Sequence, residues 1–415
     1  MRENAAVSSH RLWPLLLFVV LCALLAFDAC RADAKQIADG IYMAGGISNS
    51  YLIVTPNGNV VIDTGAPNTA LRQFESLRAV SDQPARYLVL THAHMDHTAG
   101  IELWADSRTE IVAHRNHADE VAYQRRLRGF FARRNAAQFG AAPQRTPAAT
   151  SRLADITFSD GMEFSLGGLT FVLAHTPGET SDHVSVWIPE LEVAFIGDNY
   201  YDSFPNISTL RGSRPRWALD YVGSLDRVLQ WEPEVVLSGH VAPLRGRAKV
   251  TESLTRYRDA ILYVHDETVN GMNAGKSVDD MMRSIVLPPE LAVGEKYGRV
   301  SWSVRGIYEG YVGWFNERPE SMYPSIEASV FSQLVELAGG PEAIVARARE
   351  NRARGDLIEA LRLTDAALYA DPRNGDALNI REDVLQALEQ QAGNFNERAW
   401  LKHARRQAQQ KTMEE

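Results

Sequence analysis

The chain has 415 residues, 45% hydrophobic and 23% charged, with a formal net charge of −9. That length is enough for two or three domains and a sizeable core. The acidic balance argues against general binding to nucleic acid or an anionic membrane, since both need a basic surface. An anionic substrate would have to be drawn by a few local cations or metals.

The first 34 residues read differently from the rest. Arg2 and Arg11 give a positive start, Leu12 to Phe27 is an almost unbroken apolar run, and Ala32-Asp33-Ala34 offers a small-x-small cleavage site. This is the layout of a secretory signal peptide. It predicts a periplasmic or secreted mature protein with no stable membrane span after cleavage. The alternative is an uncleaved anchor, for which the run is short. Both cysteines, Cys22 and Cys30, fall in this leader. The mature chain would have no thiolate to act as nucleophile or metal ligand.

From Gln36 to about Leu244 short β-rich runs alternate with helical or loop segments. "SYLIVTPNGNVVIDTG" reads as a hairpin around Pro56-Asn57-Gly58. "PARYLVLTHAH", "LTFVLAHTPGE", "LEVAFIGD" and "PEVVLSGH" read as four more strands, with helical patterns at Asn68–Val80 and Trp217–Gln230. The mixture predicts an α/β layered domain over residues 35–250. Residues 115–150, rich in Arg, Ala and Gln, read as an exposed helix plus a loop. Beyond about Ala248 the strand pattern stops. Helical periodicity takes over in "ESLTRYRDAILYVHDETVNGMNAG" and "DDMMRSIVL", and three helix-length segments run from Gly340 to Gln391. Their breaks at Gly355-Asp356 and Asp371–Gly375, and the ending "ALYADPRN", resemble a tetratricopeptide repeat. Residues 251–395 are therefore expected to be a helical domain, and 396–415 a polar C-terminal tail.

The stretch "LTHAHMDHTAG" at residues 90–100 carries the chemistry. Four ligand-type residues, His92, His94, Asp96 and His97, occupy six positions directly after an apolar strand. In H-x-H two imidazoles can converge on one metal, and D-H can turn to a second about 3.5–4 Å away. Further ligand-type residues recur where strands end: Glu179 after "FVLAHTPG", Asp198 after "VAFIG", and His240 after "VVLSG". The carboxyl ends of strands are where α/β sites form. His175 and His183 flank the turn before and after Glu179 and read as supporting or packing residues.

This pattern resembles the metallo-β-lactamase superfamily: HxHxDH, the "IDTG" strand end from Ile62 to Gly65, a "TPG" turn, a later Asp and a late His. Most members have His after "TPG". Here Glu179 follows, as in the alkyl sulfatase branch, which also carries a "TLRG" like Thr209–Gly212 a dozen residues after the bridging carboxylate. The helical region, with "VSWSVRGIYEGYVGWFNERPESMYP", resembles the alkyl sulfatase dimerisation region. The resemblance implies an αββα sandwich followed by an all-α, tetratricopeptide-like dimerisation domain. It also implies two zinc ions per chain, the first held by His92, His94 and Glu179, the second by Asp96, His97 and His240, with Asp198 bridging. Asn206 and Arg211 would grip the sulfate. Asp96, Asp198 and Arg211 would be the residues nearest the chemistry, and Asp63 a carboxylate that orients the histidine loop. The family carries Glu where this chain has Asp198.

The implied activity is hydrolysis of small anionic alkyl sulfate esters by a metal-bridging water, in a homodimer. Two alternatives stand beside it. One is another hydrolase activity on the same scaffold, acting on an ester, lactone, β-lactam or phosphoester. The other is an interaction protein with a vestigial metal site.

Overall fold

A computed structural model of the chain describes residues 34–140, 152–315, 317–324 and 327–413. The leader before Ala34 and the end of the 115–150 segment lie outside these residues. Among the described residues no helix is long and apolar enough to cross a membrane.

Two sheets pack face to face. The first has seven strands in chain order, β1 (Lys35–Ala38), β2 (Ile41–Ala44), β3 (Ser50–Thr55), β4 (Gly58–Ile62), β5 (Ala85–Val89), β6 (Glu110–His114) and β7 (Ile156–Phe158). The predicted hairpin is β3–β4, closing Thr55 against Gly58. From β4 to β7 the pairing is parallel. The second sheet contains β8 (Gly161–Leu166), β9 (Leu169–His175), β10 (Val184–Ile188), β11 (Val193–Phe195), β12 (Val235–Leu237) and β13 (Leu244–Arg245), in the order β13-β12-β11-β10-β9-β8. Only β11 and β12 are parallel there.

The period of two explains the layering. Val60, Ile62 and Val89 point between the sheets and meet Phe171, Leu173, Val186 and Phe195. Their neighbours Val61 and Leu88 point outward onto Leu77, Ile101 and Trp104, from the helices at Ala70–Arg78 and Ile101–Trp104. Both faces of these strands are covered, so their sequences are continuously apolar rather than alternating. On the other side, Ala194 and Val236 pack under Tyr221 and Leu225 of the helix Ala218–Leu229, and under Leu254, Tyr257 and Ile261 of the helix Arg247–Asn273. The result is the expected αββα sandwich.

The helix Arg247–Asn273 belongs to this outer layer. The domain boundary expected at 250/251 therefore falls inside a helix, because its apolar stripe buries both against the sheet layer and against the helices that follow. Beyond it come Val278–Ser284 and Val300–Val312, which join the same core, then Phe331–Leu337 and three successive helices, Pro341–Arg354, Leu357–Ala370 and Gly375–Gln391. Gly355, at φ 87°, ends the first of the three. Asn374 caps the last, accepting from the Ala377 amide at 2.9 Å. The polar tail expected over residues 396–415 is instead a helix, Phe395–Met413. Its polar sequence hides a small buried face, including Ala408, and the helix docks on Gly375–Gln391 and on the helix Arg128–Phe139.

Candidate metal centre

The parallel pairs β4–β5 and β11–β12 bring their carboxyl ends to one edge of the sandwich. There Val184 N–H bonds the Thr91 carbonyl at 2.7 Å, and Asn49 N–H bonds the Gly239 carbonyl at 2.7 Å. The loops after β4, β5, β9, β11 and β12 thus deliver Asp63, the histidine loop, Glu179, Asp198 and His240 to one place.

Two donor sets form. His92, His94 and Asp198 bring ligand atoms within 4.8 Å of one another, and so do Asp96, His97 and His240. Asp198 lies between the sets. Its Oδ2 is 3.7 Å from His92 Nε2 and 3.1 Å from His240 Nε2, and its Oδ1 is 3.3 Å from His97 Nε2. Glu179 Oε1 stands 3.4 Å from His94 Nδ1. All seven residues singled out as ligands therefore meet in one cluster.

The surrounding hydrogen bonds fix the tautomers. Asp63 Oδ2 accepts from His97 Nδ1 at 2.7 Å and from the Thr91 hydroxyl at 2.7 Å. Having given its proton to Asp63, Thr91 Oγ1 can only accept from His92 Nδ1, at 3.0 Å. His240 Nδ1 donates to the Ile47 carbonyl at 2.7 Å. Each of these rings therefore turns an Nε2 lone pair into the cluster, as metal-ligating histidines do. Asp63 achieves its contacts from a left-handed backbone, φ 57°, uncommon for a non-glycine residue and a mark of functional geometry.

The donor set fits divalent cations. His97 Nε2 and Asp198 Oδ1 are both buried without a hydrogen-bond partner. Burial disfavours charge on His97, yet Asp198, Asp63 and Asp96 outweigh it and raise its pKa well above the ordinary value. The His240 pKa is pushed up to about 9, again against burial and chiefly by Asp198. Burial, then the neighbouring His97 and His94, lowers His92. Burial, then Arg216 and Arg211, pushes His94 down to about 3. The carboxylates thus call for positive charge on the cluster. Nitrogen and oxygen donors of this kind suit zinc.

His183 is not a ligand in this arrangement. Its Nε2 accepts the Asp198 amide at 3.1 Å, which supports the Asp198 loop. His175 stacks on His114, with ring centroids 3.8 Å apart, and its Nε2 meets the Ser181 carbonyl at 3.0 Å.

No motif in the sequence marks Arg216 or Tyr221. Arg216 is buried and donates to Glu179 Oε2 and, at 3.0 Å, to the Asn206 carbonyl. Tyr221 Oη donates to the same Glu179 oxygen at 2.9 Å. Together they leave Glu179 Oε1 facing His94. Asn206 is buried, with an unpartnered amide oxygen. Arg211 is half-buried; burial disfavours its charge, yet nearby Tyr297 and Glu179 outweigh that and raise its pKa. Its charge acts on both His94 and Glu179. Tyr297 lies over Tyr201, and Tyr201 over His240, with centroid distances of 5.2 and 5.7 Å.

Comparison with known proteins agrees with this geometry. Residues 43–240 match the metallo-β-lactamase superfamily, and residues 277–411 match the family described as alkyl sulfatase dimerisation. A linear primary-alkylsulfatase from Pseudomonas sp. (strain ATCC 19151) is 30% identical, over 84% of this chain and 72% of its own. An alkyl/aryl-sulfatase from Saccharomyces cerevisiae is 25% identical, over 86% of this chain and 61% of its own. The solved structure of a stereoselective inverting sec-alkylsulfatase from Pseudomonas sp. superposes with a TM-score of 0.83 at 23% identity, covering 91% of this chain and 66% of that one. The chain thus spans between about three fifths and three quarters of these relatives' lengths. Fold and site define an enzyme of the metallo-β-lactamase superfamily. Within that superfamily, the chain belongs to the alkylsulfatase family.

Proposed function

We propose that this protein is a two-zinc hydrolase that cleaves alkyl sulfate esters to an alcohol and inorganic sulfate. The observation that carries the reading is the meeting of two donor sets at one sheet edge, with Asn206 tied to Glu179 through Arg216 and the charge of Arg211 acting on His94 and Glu179. The names of the relatives support the substrate class. His92, His94 and Glu179 would hold one zinc and Asp96, His97 and His240 the other, with Asp198 between them. When bound, the zincs would supply positive charge and lower the pKa of a water so that it can act as the nucleophile. Asp198 is one methylene shorter than the family's Glu, yet its two oxygens address both donor sets.

The chain's own residues do the rest. Asp63, Thr91 and Ile47 hold three imidazoles in the ligating tautomer. Arg216 and Tyr221 hold Glu179. Arg211 offers a planar fork of donors to the sulfate oxygens, and the buried Asn206 side chain would offer a second contact through its NH2 group. Where the C–O bond is the one that breaks, sulfate leaves readily and no strong general acid is required.

The leader supports a periplasmic or secreted location after cleavage. The match of residues 277–411 to a dimerisation family supports a homodimer. The test is a hydrolysis panel of alkyl sulfates, a lactone, a β-lactam and a phosphodiester, each with and without chelator. Chelator-sensitive turnover confined to the sulfates is expected. Equal or better turnover of another class would overturn the reading.

A further inference from the structure

The last helix begins against the site rather than away from it. Asn394 and Asn396, both buried, lie at its start. The Asn394 side-chain amide donates to the carbonyls of Glu295 at 2.8 Å and Tyr297 at 2.9 Å. Asn396 donates to the same Tyr297 carbonyl at 2.9 Å, and the Phe395 amide donates to the Lys296 carbonyl at 2.8 Å. Arg299 and Glu397 pair at 2.8 Å beside them. Three consecutive residues thus pin the backbone of residues 295–298, whose Tyr297 ring lies over Tyr201 at 5.2 Å, with Tyr201 over His240 at 5.7 Å, and whose phenol acts on the charge of Arg211. That loop has little freedom of its own. Gly298 sits so close to the Pro205 carbonyl that any Cβ there would collide with it.

A second route reaches the same place. The Asn396 amide oxygen accepts from Gln138, which also accepts from Trp400 at 3.3 Å. One turn earlier, Arg134 lies over both the Trp400 and Phe130 rings, at 5.2 and 5.3 Å, and donates to the carbonyl of Leu210, the residue before Arg211. Phe130 closes on Gly212, where an added Cβ would lie 3.3 Å from the ring. Arg211 thus has Tyr297 acting on its charge and Arg134 holding the backbone just before it. Both lines end at the Asn394–Asn396 turn.

We infer that Asn394 and Asn396 are positioning residues for the anion grip: the start of the last helix sets Arg211 against the sulfate through Tyr297 and Arg134. This rests on the reading of Arg211 as the sulfate-holding residue. A side chain flanked by an anchored tyrosine on an anchored backbone has fewer rotamers open to it, and a fixed guanidinium fork binds a tetrahedral anion better than a mobile one.

The experiment is a double-mutant cycle on the full-length, metal-loaded enzyme with an alkyl sulfate. Asn394→Asp keeps the shape and removes the donors. Arg134→Met, at a half-buried position, cuts the second route and guards against a folding failure of the first. Each single variant should raise KM about 3- to 10-fold, the loss of one or two hydrogen bonds, with kcat less affected and metal content unchanged. In an Arg211→Ala background neither should cost anything more. Additive losses in that background, or unchanged KM in both single variants, would overturn the inference. If Arg211→Ala itself leaves KM and kcat unchanged, the sulfate reading of Arg211 fails instead, and the cycle makes that outcome separate.

Discussion

Asp63 Oδ2 accepts from His97 Nδ1 at 2.7 Å while Asp63 itself sits at φ 57°. The carboxylate also takes the Thr91 amide at 2.8 Å and the Thr91 hydroxyl at 2.7 Å. One strained residue at the end of β4 therefore sets the tautomers of both His92 and His97. Asp63→Asn tolerates the left-handed backbone but cannot accept all of these donors. We expect metal affinity or turnover to drop about 10- to 100-fold, the usual cost of losing such a support. Elemental analysis and steady-state kinetics measure it, and full zinc loading with parental turnover would contradict the role.

The ligands themselves should separate function from fold. His92→Ala and His97→Ala each remove a donor from a loop at the rim of a packed sandwich. Activity should vanish while circular dichroism and the elution volume stay those of the parent. Unchanged turnover in either variant would remove the two-metal reading.

The histidine loop is legible in the sequence because four donors crowded into six positions are hard to account for except by metal binding. Asp198, Glu179 and His240 are legible because each follows an apolar run, and strand ends of a layered sheet gather at one edge. The hairpin and the three successive helices carry turn and cap signals of their own. What stays hidden depends on distant partners. Arg216 meets Glu179 across 37 positions, and Asn394 meets Tyr297 across 97. Nothing local marks either as buried. Strands such as β7 and β13, of three and two residues, are shorter than a periodicity can register. The last helix reads as a tail because its composition is polar. Tertiary docking on Arg128–Phe139, invisible in the composition, makes it a helix.

Assembly is open to a direct measurement. Trp314, 73% exposed, stands with Phe315, Tyr311 and Val312 as an aromatic surface at the end of the helix Val300–Val312, inside the dimerisation-family match. Large exposed apolar patches mark interaction surfaces. Light scattering should give twice the chain mass, and Trp314→Glu should shift it toward one. A monomer at every concentration would contradict the homodimer.

Arg211 tests specificity. Arg211→Ala should keep both metals yet remove a charge-assisted contact worth roughly 1.5–3 kcal/mol, so kcat/KM for a sulfate ester should fall about 10- to 150-fold. Lys should recover only part, since it lacks the planar fork. Hydrolysis of a neutral ester, where present, should barely move. Equal losses on both substrates would make Arg211 structural.

Arg216 gives a prediction on stability that needs no substrate. Its side chain and that of Glu179 are both 2% exposed, and the pair is closed by Tyr221 and the Asn206 carbonyl. Arg216→Met keeps the bulk and removes the charge, leaving a buried carboxylate whose nearest remaining donor is a phenol. Breaking a buried pair from one side costs about 3–5 kcal/mol, because the uncompensated charge stays inside. The loss should appear in full in chelator, measured by urea unfolding, and shrink when zinc is restored, because a cation at Glu179 would replace the missing charge. Adding Glu179→Gln to the same chain should return much of the lost stability in chelator by neutralising the orphan. It should not return metal loading, since Gln is a poorer ligand. If Arg216→Met in chelator unfolds within about 0.5 kcal/mol of the parent, as an ordinary surface substitution does, then the pair is not what holds Glu179 in place, and its orientation toward His94 must come from Tyr221 alone.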